Sequence, residues 1–182
     1  MSLRITILIC IFGLIGCKDK KGETDLILGI EEKFKNLKPA GQTKFGGGDV
    51  WGIRHVYANN DSSVVKIVVD YDAGDYGKGQ NEFLLVDSKL VYQRDYVLDW
   101  LVVKSPLDTN NYKLREAVSY YSADSTGLKK SKTVYTRSLE VTEAKKEEFK
   151  NRMVETDTLT KNDYVTQYDE LKKALQLELI ED

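Results

Sequence analysis

The spacing of apolar positions changes character three times along this chain. Ile5 to Ile15 is an apolar run broken only by Thr6, Cys10 and Gly13, preceded by the single positive charge of Arg4. Ile27, Ile30, Phe34 and Leu37 then recur at steps of 3, 4 and 3, the stripe of an amphipathic helix. Thr24 or Asp25 supplies its N-cap, and Pro39-Ala40-Gly41 stops it. From Trp51 onward the period becomes two, and from Thr142 it returns to that of helices.

The period-two region predicts strands separated by polar turns. Trp51, Ile53, His55 and Tyr57 alternate with Gly52, Arg54, Val56 and Ala58, and Asn59-Asn60-Asp61-Ser62 turns the chain. Val64 to Tyr71 is almost wholly apolar, which predicts a central strand. Asp72 to Asn81 reads as a glycine-rich connection. Phe83 to Val86 then forms a hairpin through Asp87-Ser88-Lys89 with a long strand from Leu90 to Val103. So long a run predicts a bulge near Arg94-Asp95. After a loop from Pro106 to Asn111, a second hairpin joins Lys113–Ser122 to Leu128–Ser138.

Two helices close the chain. Thr142 caps the first, which runs to about Val154. Thr160-Lys161-Asn162-Asp163 resembles a capping box before a stripe of Tyr164, Tyr168, Leu171 and Leu175. The expected fold is α+β: a single curved antiparallel sheet of about six strands in meander order, with one N-terminal and two C-terminal helices.

Composition narrows the chemistry. The 41% hydrophobic content and eleven tyrosines predict a folded chain rather than a disordered one. A formal charge of −2 leaves no basic stripe for nucleic acid. Lys129-Lys130-Ser131-Lys132, the densest basic run, reads as a solvated sheet edge.

The N-terminal run is too short to span a bilayer, which takes roughly twenty apolar residues. Its end, Leu14-Ile15-Gly16-Cys17, resembles the lipobox of bacterial lipoproteins. That resemblance implies a signal peptide over residues 1–16, cleavage before Cys17 and acyl chains on its sulfur. A polar tether over 17–25 and a single domain over 26–182 follow. Two or more acyl chains hold a protein stably on its membrane. Lys18 stands where an aspartate would retain an enteric lipoprotein at the inner membrane, which points to the outer membrane. Lys18-Asp19 also resembles part of the surface-export signal of Bacteroidota lipoproteins, so both sides of that membrane stay open.

With Cys10 lost and Cys17 acylated, the mature domain has no free thiol, disulfide or thiolate metal site. His55, the only histidine, reads as a hydrogen-bonded structural residue rather than a general base. Asp70, Asp72 and Asp75 form a weak calcium candidate. Measured from Asp70, the loop puts Gly74 and Asp75 in the wrong order for a calcium-binding hand, and Glu82 falls one residue late. No cofactor is expected. Gly46-Gly47-Gly48 and Gly74, Gly77 and Gly79 lack any phosphate-loop pattern and read as loop glycines.

The tyrosines offer the remaining candidates. Tyr92, Tyr96 and Trp100 share one strand face, and Tyr120 and Tyr121 must point to opposite faces, so that one of them leaves the core. Aromatic residues are favoured at interfaces and on sugar faces. The expected function is a non-enzymatic envelope module that binds another protein through its sheet. A glycan- or small-ligand-binding module is the alternative, and a carboxylate-dependent enzyme comes third.

Overall fold

The computed structural model describes residues 22–100 and 112–175. Cys17, the signal segment and the loop from Pro106 to Asn111 lie outside them. The chain divides into two compact units, 1–35 and 36–182. In the first, helix α1 covers 22–33, shorter than the expected reach to Leu37, and carries a buried Ile30. Among the described residues, no helix is long and apolar enough to cross a membrane.

In the second unit the sheet begins earlier than the apolar alternation suggests. Strand β1, Lys38–Gly47, occupies the stretch read as a helix stop and a glycine loop. It pairs with β2, Val50–Ala58, across a two-residue turn in which Gly48 takes a positive φ of 59°. β3, Val64–Asp72, turns through a short 3-10 segment, Gly74–Tyr76, into β4, Gly77–Val86. The expected connection over Asp72–Asn81 is therefore mostly strand. β5, Lys89–Trp100, follows a turn whose Asp87 and Ser88 both have positive φ. β6, Tyr112–Tyr121, and β7, Gly127–Thr136, make the second hairpin. After helix α2, Glu143–Lys150, the short strand β8, Glu155–Leu159, joins β7, and helix α3, Lys161–Leu175, follows.

The eight strands lie in sequence order, each antiparallel to the next. The class and meander are those expected; the count of about six is not. β1 and β8 escape a hydrophobic reading because each buries one large apolar residue, Phe45 and Leu159 respectively. The irregularity expected at Arg94-Asp95 sits elsewhere. Leu84 faces Tyr92 and Leu85 faces Leu90, leaving Val91 over.

Helices cover both faces of the sheet. On the α3 face, Phe45, Ile67, Val69, Phe83, Leu90, Tyr121 and Leu159 pack with Leu171, joined by Tyr164 and Tyr168. On the α2 face, Leu98, Leu114 and Val134 pack with Phe149, joined by Tyr96, Leu139 and Val141. Both caps form as the sequence predicts. Thr142 Oγ1 accepts from Lys145 N at 3.3 Å, and Thr160 donates through N and Oγ1 to Asp163 Oδ2 at 2.7 and 2.6 Å.

Two glycines of the α3 face give room to rings. Gly52 lies opposite Phe45, where a Cβ would collide with the Asp70 carbonyl oxygen and reach 2.6 Å from Phe45 Cζ. Gly79 lies opposite Tyr71, whose hydroxyl oxygen would be 2.8 Å from such a Cβ. Gly79 is thus a packing residue of a strand, not a loop glycine.

Candidate functional site

Strand alternation puts Lys66 on β3, Glu82 on β4, Arg94 on β5, Glu116 on β6 and Lys132 on β7 on the same face of the sheet, the one that α2 covers. Their side chains form a ladder across five strands. Lys66 Nζ lies 3.4 Å from Glu82, whose carboxylate is also 3.8 Å from Arg94. Arg94 reaches Glu116 at 2.7 Å, and Lys132 reaches its other oxygen at 3.1 Å. Burial pushes the Glu116 carboxyl up, but Arg94 and Lys132 outweigh it and hold the group below the usual carboxylate range. Burial likewise opposes the Arg94 charge, and the two glutamates more than restore it.

Lys132 corrects the reading of residues 129–132 as a solvated edge. β7 lies inside the sheet, and the Lys132 ammonium sits 4.5 Å over the Phe149 ring while closing the ladder. The same ring takes Tyr96 edge-on at 6.0 Å, and the Arg94 guanidinium lies 5.5 Å from the centre of Tyr96. This arrangement pins α2 to the sheet. The chain between β7 and α2 therefore crosses the face with Leu139 and Val141 turned down onto Leu98 and Leu114.

Beside that crossing lies a groove of about 870 Å³. Tyr96, Leu98, Leu114, Leu139 and Val141 give it apolar surface; Asp70, Asp72, Lys78, Gln80, Arg94, Glu140 and Lys146 give it polar surface. Several of these are already oriented. Gln80 Nε2 donates to Asp70 Oδ1 at 2.7 Å, Gly74 N donates to Asp72 Oδ1 at 2.8 Å, and Lys146 pairs with Glu143 at 2.6 Å. A smaller cleft of about 150 Å³ shares Asp70 and Asp72 with the groove and is walled by Trp51 and Ile53.

The end of the sheet next to this cleft is aromatic. Trp51, Tyr76 and Trp100 are 60%, 63% and 45% exposed, and Tyr76 meets Trp100 edge to face at 6.1 Å. Tyr112 donates to the Asp75 carbonyl oxygen at 3.3 Å beneath them.

The residues singled out by sequence separate into two groups. Tyr96 lines the groove, and Trp100 lies just outside the lining, two residues beyond Leu98 on the same face of β5. Tyr92 and Tyr120 are buried against each other, rings 5.6 Å apart, and burial pushes the Tyr92 hydroxyl well above its usual range. Tyr121 points to the opposite face, as alternation requires, and is buried under Tyr164. Neither member of the Tyr120-Tyr121 pair leaves the core, because the sheet is covered on both sides.

Asp70 and Asp72 reach the groove while Asp75 lies exposed in the 3-10 turn. Among the described residues, no three histidine, cysteine, aspartate or glutamate side chains group to hold a metal. His55 shares the α2 face, with Nε2 3.8 Å from Asp70 Oδ2. Trp51, Tyr76, Lys78, Gln80, Leu139, Val141 and Lys146 went unmarked in the sequence. Lys78 and Gln80 fell in the supposed connection, and Trp51 stood in a strand face read as inward. Comparison with protein-family models, curated proteins and solved structures gives no match for this chain.

Proposed function

We propose that this chain is an envelope lipoprotein, cut before Cys17 and acylated there, whose folded domain is a non-enzymatic binding module. The observation that carries the binding reading is the groove on the α2 face. Pockets that hold ligands combine an apolar lining with a few convergent polar groups, and here Tyr96, Leu98 and Leu114 lie beside Asp70, Gln80 and Lys78. The lipobox resemblance and the polar stretch after Cys17 support the anchor.

The groove favours a ligand over a protein that adds a strand to the sheet. Outer strand β1 carries Pro39 and a register shift between Pro39 and Gly41, and β8 is five residues long with Glu155 and Asp157. Such features blunt pairing at a sheet edge. The tests are separate for anchor and groove. An alkyne fatty acid fed to cells labels the wild type and leaves Cys17→Ala unlabelled; equal labelling of both overturns the anchor. A photo-crosslinking residue at Leu139, inside the groove, gives discrete envelope adducts that the same residue at exposed Val165 does not. Equal adducts from both positions, or none from Leu139, overturn the groove as the binding surface.

A further inference from the structure

We infer that the groove takes an uncharged oligosaccharide chain, its sugar faces resting on the aromatic end formed by Trp51, Tyr76 and Trp100. This rests on the reading of the groove as the binding surface and names its ligand class. The first argument is charge. Asp70, Asp72 and Glu140 are matched by Lys78, Arg94 and Lys146. Arg94 and Lys146 already hold Glu116 and Glu143. With those two cations already paired, the lining offers a polyanion no surplus of positive charge, and a neutral ligand gives up no charge solvation to enter.

The second argument is the kind of polar group present. The Asp70–Gln80 pair supplies an oriented acceptor and donor, and Lys78 adds a further donor to the same wall. A sugar hydroxyl is both donor and acceptor, so a row of hydroxyls satisfies such a mixed wall. An apolar guest would cover these groups without replacing their water, and each one left unpaired would oppose its binding. An extended peptide fits poorly, since the groove crosses the sheet face and gives backbone amides no strand edge to pair with.

The third argument is the exposed aromatic end. Large aromatics held open to solvent are the unusual feature of a surface, not scattered leucines. Trp51 joins the groove through Asp70 and Asp72, which line both hollows. The C–H face of a pyranose is apolar and flat, and it covers an indole while its rim of hydroxyls stays hydrogen-bonded.

The sequence contains two tryptophans, and both stand at this end, so intrinsic fluorescence reports on the site directly. The experiment titrates full-length chain in detergent micelles with neutral glucans, mannans, galactans and xylans, with heparin as a polyanion. At least one neutral glycan is expected to shift tryptophan emission and retard the protein in affinity gels, while heparin does neither. Trp100→Ala and Trp51→Ala each weaken retardation by about tenfold or more, with thermal unfolding unchanged. Tyr135→Ala removes an aromatic that is 51% exposed on the opposite face, and it leaves binding intact.

Retardation by none of the neutral glycans overturns the inference, as does stronger retention by heparin or an equal loss in Tyr135→Ala. The Leu139 crosslink separates the two readings. Adducts to protein with no glycan binding keep the groove and remove the saccharide; no adducts and no glycan binding remove both.

Discussion

Under α3 the sheet presents Phe45, Ile67, Val69 and Phe83 to Leu171, Tyr164 and Tyr168. Under α2 it presents Leu98, Leu114 and Val134 to Phe149, and the positions around that small cluster are charged. Both faces arise from the same period-two strands, and both are covered by a helix. They differ in what the covering achieves. The α3 side is held by packing, with rings fitted over Gly52 and Gly79. The α2 side combines the Phe149 cluster and the buried Leu84, Tyr92 and Tyr120 with a ladder of ion pairs, which leaves part of its surface polar. The groove lies where α2 docks through Phe149 and the sheet beside it carries polar side chains.

The comparison breaks most visibly if packing is removed. Leu171→Ala deletes a side chain that is 1% exposed at the centre of the α3 face. It is expected to cost about 3 kcal/mol, from lost transfer energy and the cavity left behind, measured as a lower urea midpoint with unchanged slope. Retention of groove ligand in the folded protein stays as in wild type. Gly52→Ala acts on the same face by overpacking, because the added Cβ meets the Asp70 carbonyl oxygen and the Phe45 ring. Its expected cost is about 2–3 kcal/mol, and here the groove is disturbed too, since Asp70 lines it. Equal binding in both folded variants would mean that the two faces do not communicate through β3.

How much of this was legible in the sequence follows the same division. Val64 to Tyr71 and the stripe of α3 announced themselves because both are packed by apolar side chains, and Thr160 and Asp163 marked the helix start through a local hydrogen-bond pattern. β1 and β8 were invisible to apolar periodicity. Each is an outer strand that buries a single large residue, and strand pairing, not hydrophobicity, holds the rest of it in place. The groove was legible only in fragments. Tyr96 and Trp100 were marked as aromatics on one face, and Asp70 and Asp72 as an acidic pair. Nothing local joins them to Leu139 or Lys146, whose arrival depends on where Phe149 docks. The ladder has the same character, since Glu82, Arg94 and Glu116 become neighbours only through register.

Charge removal on each face sharpens the contrast, and its sign should differ between them. Glu116→Gln takes away a carboxylate that holds both Arg94 and Lys132. Because those partners keep its folded pKa below the unfolded one, the stabilisation is present above the ordinary carboxylate range and lost as pH falls through the folded value. The variant is expected to be less stable by about 2 kcal/mol at pH 7, and equal to wild type under strong acid, as read by urea unfolding at both pH values.

Asp95 is the counterpart on the other face, opposite Ala117 in the sheet and beside Gln93, which is 2% exposed. Burial raises its pKa, and the Gln93 amide, Arg115 and Lys129 only partly offset the effect. A carboxyl whose folded pKa is raised favours the folded state when protonated, and that contribution is lost as pH climbs through the folded value. At neutral pH the ionised Asp95 therefore weakens the fold, although it accepts a 3.0 Å hydrogen bond from Gln93 Nε2. Asp95→Asn keeps an acceptor for that bond and removes the charge. It is expected to raise the unfolding midpoint at pH 7, with the gain shrinking to nothing below the ordinary carboxylate range. A variant less stable than wild type at pH 7 would mean that Arg115 and Lys129 pair with this carboxylate as firmly as Arg94 and Lys132 pair with Glu116. Both faces would then owe stability to charge, and the distinction between a packed side and a paired side would fail at the residue best placed to test it.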